Sequence, residues 1–160
     1  MKYEDLVPVM RRLAIEAGAK IMEIYDADDF DVKVKSDESP VTEADETADA
    51  LISAGLREIF PEVMLVTEEQ ASSHKLSGDT FLIVDPLDGT KEFINRRGDF
   101  TVNIALVEYG VPTRGVVYAP AKGRMFFTRE DGTSVEETGE CDPATVGPVT
   151  EIHVTDPNNG

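Results

Sequence analysis

"FLIVDPLDGTKEFI" occupies Phe81 to Ile94, and "FTVNIALVEYG" occupies Phe100 to Gly110. The apolar run Phe81–Val84 reads as a buried strand, and Asp85 emerges at its end. Pro86 is expected to end the ladder there. Asp88 then lies one turn further on, followed by Gly89, which allows close backbone approach, and by Thr90. "KEFI" (91–94) reads as a short helix whose first N–H groups face an anion. The second quoted stretch reads as the first of several closely spaced strands after the motif.

Working outward, "TRGVVYAP" (113–120) and "GRMFFTRED" (123–131) continue the pattern. Gly110–Pro112 and Pro120–Gly123 separate these runs, and such spacing predicts antiparallel hairpins. "VMLVT" (63–67) reads as another short buried strand. Upstream, Leu6, Val9, Met10, Leu13, Ala17, Ile21 and Ile24 recur at helical spacing, so residues 3 to 26 read as one amphipathic helix. Phe30, Val32 and Val34 alternate and suggest a short strand. Thr42 reads as the N-cap of a second helix with the stripe Ala48, Leu51, Ile52, Leu56 and Ile59, stopped by Pro61. Residues 130 to 148 are acidic and rich in Gly, Pro and Thr, as an irregular excursion is, and "EIHVT" (151–155) reads as a last strand. Two helices followed by mostly strands imply an α+β fold, with the helices packed on a mostly antiparallel sheet.

The chain has 160 residues and is 41% hydrophobic, enough for a single domain with a real core. No apolar run approaches the ~20 residues that a membrane helix needs. "MKYEDLVPVMRR" lacks the basic-then-apolar layout of a secretory leader, so a cytoplasmic location is expected. The one cysteine, Cys141, has acidic neighbours that disfavour a thiolate, and two histidines, His74 and His153, argue against a histidine-rich zinc site. Fifteen basic against thirty-two acidic side chains give a formal charge of −17, which argues against nucleic-acid binding. A phosphorylated ligand would need local positive charge, and metal ions are the obvious source.

Asp85, Asp88 and the Leu87 carbonyl between them can converge on hard cations, which prefer oxygen ligands. "TEE" (67–69) also ends a strand, so Glu68 or Glu69 reaches the same point if the two strands are neighbours. The bland reading is an Asx-type turn, with both aspartates satisfying local backbone and Thr90 capping a helix. Asp45 is explained equally well by stabilising a helix N-terminus. Lys35 and Lys91 either steady carboxylates or contact phosphate, and solvated lysines are the commoner case. Arg96 and Arg97 read as loop residues, and Phe126 and Phe127 as strand residues.

"SPVTEAD" (39–45), "TEE" (67–69) and "VDPLDGTKEFI" (84–94) resemble the lithium-sensitive, magnesium-dependent phosphatase superfamily that includes inositol monophosphatase. "DPLDGTKEF", with "FTVNIALVEYG" and "GVVYAPA" after it, is especially similar to the 3′(2′),5′-bisphosphate nucleotidase branch. The likeness covers residues 4 to 128 in order. It implies a phosphomonoesterase that removes the 3′-phosphate of adenosine 3′,5′-bisphosphate, a small phosphorylated nucleotide. It implies two or three Mg²⁺ ions, with Mn²⁺ as a substitute and Li⁺ or Ca²⁺ as inhibitors. Glu68 and Asp85 would bind the first metal with the Leu87 carbonyl, Asp85 and Asp88 would share the second, and Asp45 would sit near a third through water. Gly89 and Thr90 would present backbone N–H groups to the phosphate, beside Asp88 and Lys91. Glu68 and Thr90 would orient the attacking water.

Members of that superfamily are longer, with a second half that supplies a metal-binding aspartate in a Trp-Asp motif and most substrate contacts. This chain has no tryptophan. Residues 1 to 160 therefore read as the N-terminal metal-binding domain without the C-terminal substrate domain, weak or inactive alone and with apolar surface exposed. A homodimer across that surface is one arrangement such exposure allows. Two alternatives stay open: an inositol or fructose phosphate phosphatase fragment, against which Lys91-Glu92-Phe93 argues, and a non-catalytic metal- or anion-binding domain.

Overall fold

The computed structural model describes residues 2–27, 40–67 and 79–153. The helical spacing near the N-terminus forms α1 (Tyr3–Tyr25), and its stripe of Leu6, Met10, Leu13, Ala17 and Ile21 is buried. The second stripe forms α2 (Pro40–Ile59), with Ala44, Ala48, Ile52 and Leu56 in the core. This helix starts two residues before Thr42, so Thr42 lies in its first turn and does not cap it. Proline suits a first helical position, because its missing N–H would have no intrahelical partner there. Asp45 is thereby moved past the first turn, where the helix dipole is weak.

Seven strands form one sheet in chain order: β1 (Met64–Thr67), β2 (Thr80–Asp88), β3 (Thr101–Glu108), β4 (Val111–Ala119), β5 (Arg124–Thr128), β6 (Ser134–Glu137) and β7 (Val149–Ile152). β1 runs parallel to β2, and every other neighbouring pair is antiparallel. A five-residue helix, α3 (Thr90–Ile94), lies between β2 and β3. The architecture is the α+β class expected, with two helices on a mixed, mostly antiparallel sheet.

Three local readings are corrected. Pro86 does not end the β2 ladder: Asp85 pairs with Asn103, and pairing resumes at Asp88 with Thr101 after a break in register. A bulge tolerates proline because the residues within it do not share the ladder. The stretch 130 to 148 is not wholly irregular, since it contains β6. The last strand begins at Val149, two residues before "EIHVT". The strand expected around Phe30–Val34, together with Lys35, Glu68, Glu69 and His74, lies outside the described residues.

Both long helices cover one face of the sheet. Leu82, Val84, Val102, Ile104, Leu106 and Val116 alternate onto that face and join the helical stripes in one core. Glycines let the layers approach closely: a Cβ on Gly55 of α2 would lie 2.5 Å from the Leu13 side chain of α1, and one on Gly18 would lie 2.6 Å from the Tyr118 ring of β4. The alternate positions face outward. Ile83 is 41% exposed and Val117 36% exposed, and both line a shallow depression of about 240 Å³ with Asp85, Asn103, Ala105 and Gly115.

At the far edge, Arg11 and Glu137 form a buried ion pair, with Nε–Oε1 at 2.7 Å and Nη2–Oε2 at 2.8 Å. Arg11 also donates to the Thr145 carbonyl at 3.2 Å, and the Gly147 N–H donates to Glu137 at 3.1 Å. The pair ties α1 to β6 and to the segment after it. Cys141 is buried nearby, and desolvation followed by the Glu137 charge pushes its thiol up, against the lowering effect of Arg11. Burial and a nearby carboxylate both disfavour the thiolate, which is the form of cysteine that acts as a nucleophile.

Candidate active site

The parallel pairing of β1 with β2 brings the ends of both strands to one side of the sheet. Thr67 is opposite Val84, so the chain leaves β1 beside the residue that precedes Asp85. Thr67 itself is fully buried. Asp85 sits where β2 breaks register, half-buried and lining the depression on the open face. Pro86 and Leu87 are buried within the bulge, which fixes the backbone between the two aspartates. Asp88 is exposed beyond it. Opposite, the Asn103 amide donates to the Thr101 hydroxyl at 2.9 Å.

Gly89 then turns the chain into α3 with φ 95° and ψ 48°, a left-handed conformation open to glycine at little cost. A Cβ there would lie 3.1 Å from the Phe100 Cα and 3.2 Å from Glu92 Oε2. Both conformation and space therefore call for glycine. Gly89, and not Thr90, occupies the N-cap position, and no side chain caps the helix. Thr90 and Lys91 are exposed on the first turn. Asp85, Leu87, Asp88, Gly89, Thr90 and Lys91 are thus gathered in one bulge and turn.

Asp45 stands apart on α2, a helix that packs against β1 and β2. Asp49 lies one turn further along α2, is buried, and accepts from the Ser53 hydroxyl at 3.4 Å. Asp45, Asp49 and Ser53 are spaced to share one helix face. Sequence reading passed over Asp49 and Ser53. The available signal was polar residues at four-residue spacing beside the apolar stripe of Ala48, Ile52 and Leu56.

Oδ1 of Asp85 and Oδ1 of Asp45 are both shielded from solvent, and both carboxylates take part in further interactions. Carboxylate oxygens withdrawn from water need compensating charge or hydrogen bonds. Around β2 the donors are all hard oxygens: two carboxylates and a peptide carbonyl. Such a set fits Mg²⁺ or Mn²⁺ better than a soft metal. Among the described residues no three or more His, Cys, Asp or Glu side chains gather as a ready metal centre. Glu68, the third carboxylate expected, lies outside them.

Residues 2–156 match the Inositol monophosphatase family. The chain belongs to that family. A 3′(2′),5′-bisphosphate nucleotidase, CysQ, of Escherichia coli O157:H7 is 46% identical over 131 residues, which are 80% of this chain and 53% of that protein. The CysQ of Buchnera aphidicola is 44% identical over 138 residues, 84% of this chain and 52% of that one. Among solved structures, CysQ from Bacteroides thetaiotaomicron superposes with a TM-score of 0.75 at 40% identity, covering 86% of this chain and 50% of that one. An inositol monophosphatase from Zymomonas mobilis gives a TM-score of 0.70 at 30% identity over 85% of this chain and 51% of that one. The inositol monophosphatase fold therefore accounts for the helices-on-sheet arrangement described above. This chain spans about half the length of the curated relatives it matches.

Proposed function

We propose that the whole protein carrying this chain is a metal-dependent phosphomonoesterase that removes the 3′-phosphate of adenosine 3′,5′-bisphosphate. One observation carries the reading: two aspartates flank a β2 bulge and run directly into a left-handed glycine and a new helix, in a chain 46% identical to a bisphosphate nucleotidase.

Asp85 and Asp88 would hold divalent cations, with the Leu87 carbonyl as a further oxygen ligand and Glu68 contributing from the end of β1. Asp45 would serve a weaker third ion through water. When bound, such cations neutralise phosphate charge and lower the pKa of water. Gly89 and Thr90 would direct backbone N–H groups at the phosphate oxygens, where the short approach allowed by glycine matters most. The Thr90 hydroxyl and Glu68 would orient the attacking water, and Lys91 would add positive charge at the rim. Catalysis of this kind rests on positioning and electrostatics, so a rigid bulge suits it.

The nucleotide is favoured over inositol or fructose phosphates by the identity to CysQ proteins and by Lys91-Glu92-Phe93 after Gly89-Thr90. Mg²⁺ is the expected cofactor, with Mn²⁺ as a substitute and Li⁺ or Ca²⁺ inhibiting. A cytoplasmic site of action fits a protein whose described helices include none long and apolar enough to cross a membrane. Phosphate release from the nucleotide and from inositol and fructose phosphates tests the assignment in the whole protein. Hydrolysis of the nucleotide should lead and should need Mg²⁺. Asp85→Asn and Asp88→Asn should each lower it by at least about a hundredfold, and undiminished turnover in both variants would reject the reading.

A further inference from the structure

We propose that Arg96 is a positioning residue for the Gly89–Thr90 segment, acting through Tyr25 at the end of α1. This inference rests on the function proposed above. α3 has five residues, far fewer than the roughly 12–15 at which an isolated helix becomes even marginal in water. Its place must therefore come from tertiary contacts; among the described residues these include α2, and two others bear on the Gly89 segment. Inside, Phe93 of α3 is buried between Tyr25 and Phe100, with ring centroids 5.4 and 5.1 Å away, and Tyr25 meets Phe100 at 5.0 Å. Phe100 is also the residue whose Cα limits space at Gly89. Outside, the Arg96 guanidinium donates to the Tyr25 carbonyl at 2.7 Å and lies over the Tyr25 ring at 4.9 Å.

The backbone at Arg96 makes the case sharper. The Arg96 N–H donates to the Phe93 carbonyl at 3.2 Å, and the Arg97 N–H to the Glu92 carbonyl at 2.9 Å. With Asn95 as C-cap, this is the Schellman arrangement, and Arg96 stands at its left-handed position with φ 57°. Glycine is the usual occupant there, because a Cβ in that conformation is strained. An arginine held in the strained position implies a use for its side chain. The use on view is the strap to α1: it satisfies a carbonyl at the helix terminus and stacks on a ring of the cluster that supports Gly89. Arg96 thereby fixes the far end of α3, and with it the segment that begins at Gly89.

Arg96→Gly separates positioning from stability, since glycine relaxes the backbone while removing the strap. In this variant the urea midpoint of the chain should hold or rise. Hydrogen exchange of the Gly89–Arg97 amides should quicken by about tenfold, the loss of one good hydrogen bond. In the whole protein KM for adenosine 3′,5′-bisphosphate should rise by about tenfold with the Mg²⁺ activation midpoint unchanged. Arg96→Lys, which keeps the charge but not the planar stack, should fall between. Unchanged amide exchange would overturn the strap, and unchanged KM alongside faster exchange would overturn its role in positioning. An equal shift in the Mg²⁺ midpoint would also count against it, by pointing to general loosening. Should the parent protein leave the nucleotide intact, the proposed function fails, and amide exchange still decides whether Arg96 holds α3.

Discussion

Gly89 and Arg96 bracket α3 and show two opposite uses of the left-handed region. At Gly89 the backbone must turn, and a Cβ would crowd the Phe100 Cα at 3.1 Å. Gly89→Ala should cost about 1–3 kcal/mol of stability, read from urea denaturation, because strain and crowding add. A cost below a few tenths would show that the turn can relax. The need for glycine here was legible, since the motif itself suggests close approach. The conformation of Arg96 was not, because nothing in "NRRGD" marks an arginine as taking positive φ beside Gly98, which takes it too. Asp49 escaped notice for a related reason. A carboxylate beside an apolar stripe looks like solvated polar filler until the packing of α2 on the sheet shows it buried.

Elements with a repeating apolar pattern could be read directly. α1 and α2 follow from helical spacing, and the β3–β4–β5 hairpins from short apolar runs separated by turn residues, because each buries one face against one core. β6 could not be read that way. Its sequence, Ser-Val-Glu-Glu, places Glu137 inward, and that burial depends on Arg11, 126 positions earlier. Local pattern carries no trace of such a partner. The pair also makes a prediction. Glu137→Gln should destabilise the fold by about 3–5 kcal/mol, because it leaves a buried guanidinium without its counter-charge. The double change Arg11→Met with Glu137→Leu should cost much less than the sum of the single changes, since both buried charges vanish together. Additive costs would mean the two residues act independently. The β2 bulge was missed because proline was taken to end pairing, when a register break lets the ladder resume at Asp88.

At the scale of the whole molecule, the described residues form a sheet with helices on one face and exposed, partly apolar residues on the other. Alternation in a strand says which residues share a face, but not whether a second layer covers both. Ile83 and Val117 remain exposed on that face, next to Asp85. Exposed apolar surface of this kind binds hydrophobic dyes. Replacing Ile83 and Val117 together by threonine should reduce dye binding by this chain while shifting its stability by no more than about 1 kcal/mol. Undiminished binding would place the sticky surface elsewhere. Because the chain spans half the length of its relatives, turnover by residues 1–160 alone should fall at least about a hundredfold below that of the whole protein. The central claim is that the ends of β1 and β2 hold divalent cations. Anomalous scattering from a manganese-soaked crystal of the whole protein tests it most directly. The account predicts manganese peaks bound by Asp85, Asp88 and Glu68, and manganese bound only elsewhere would contradict it.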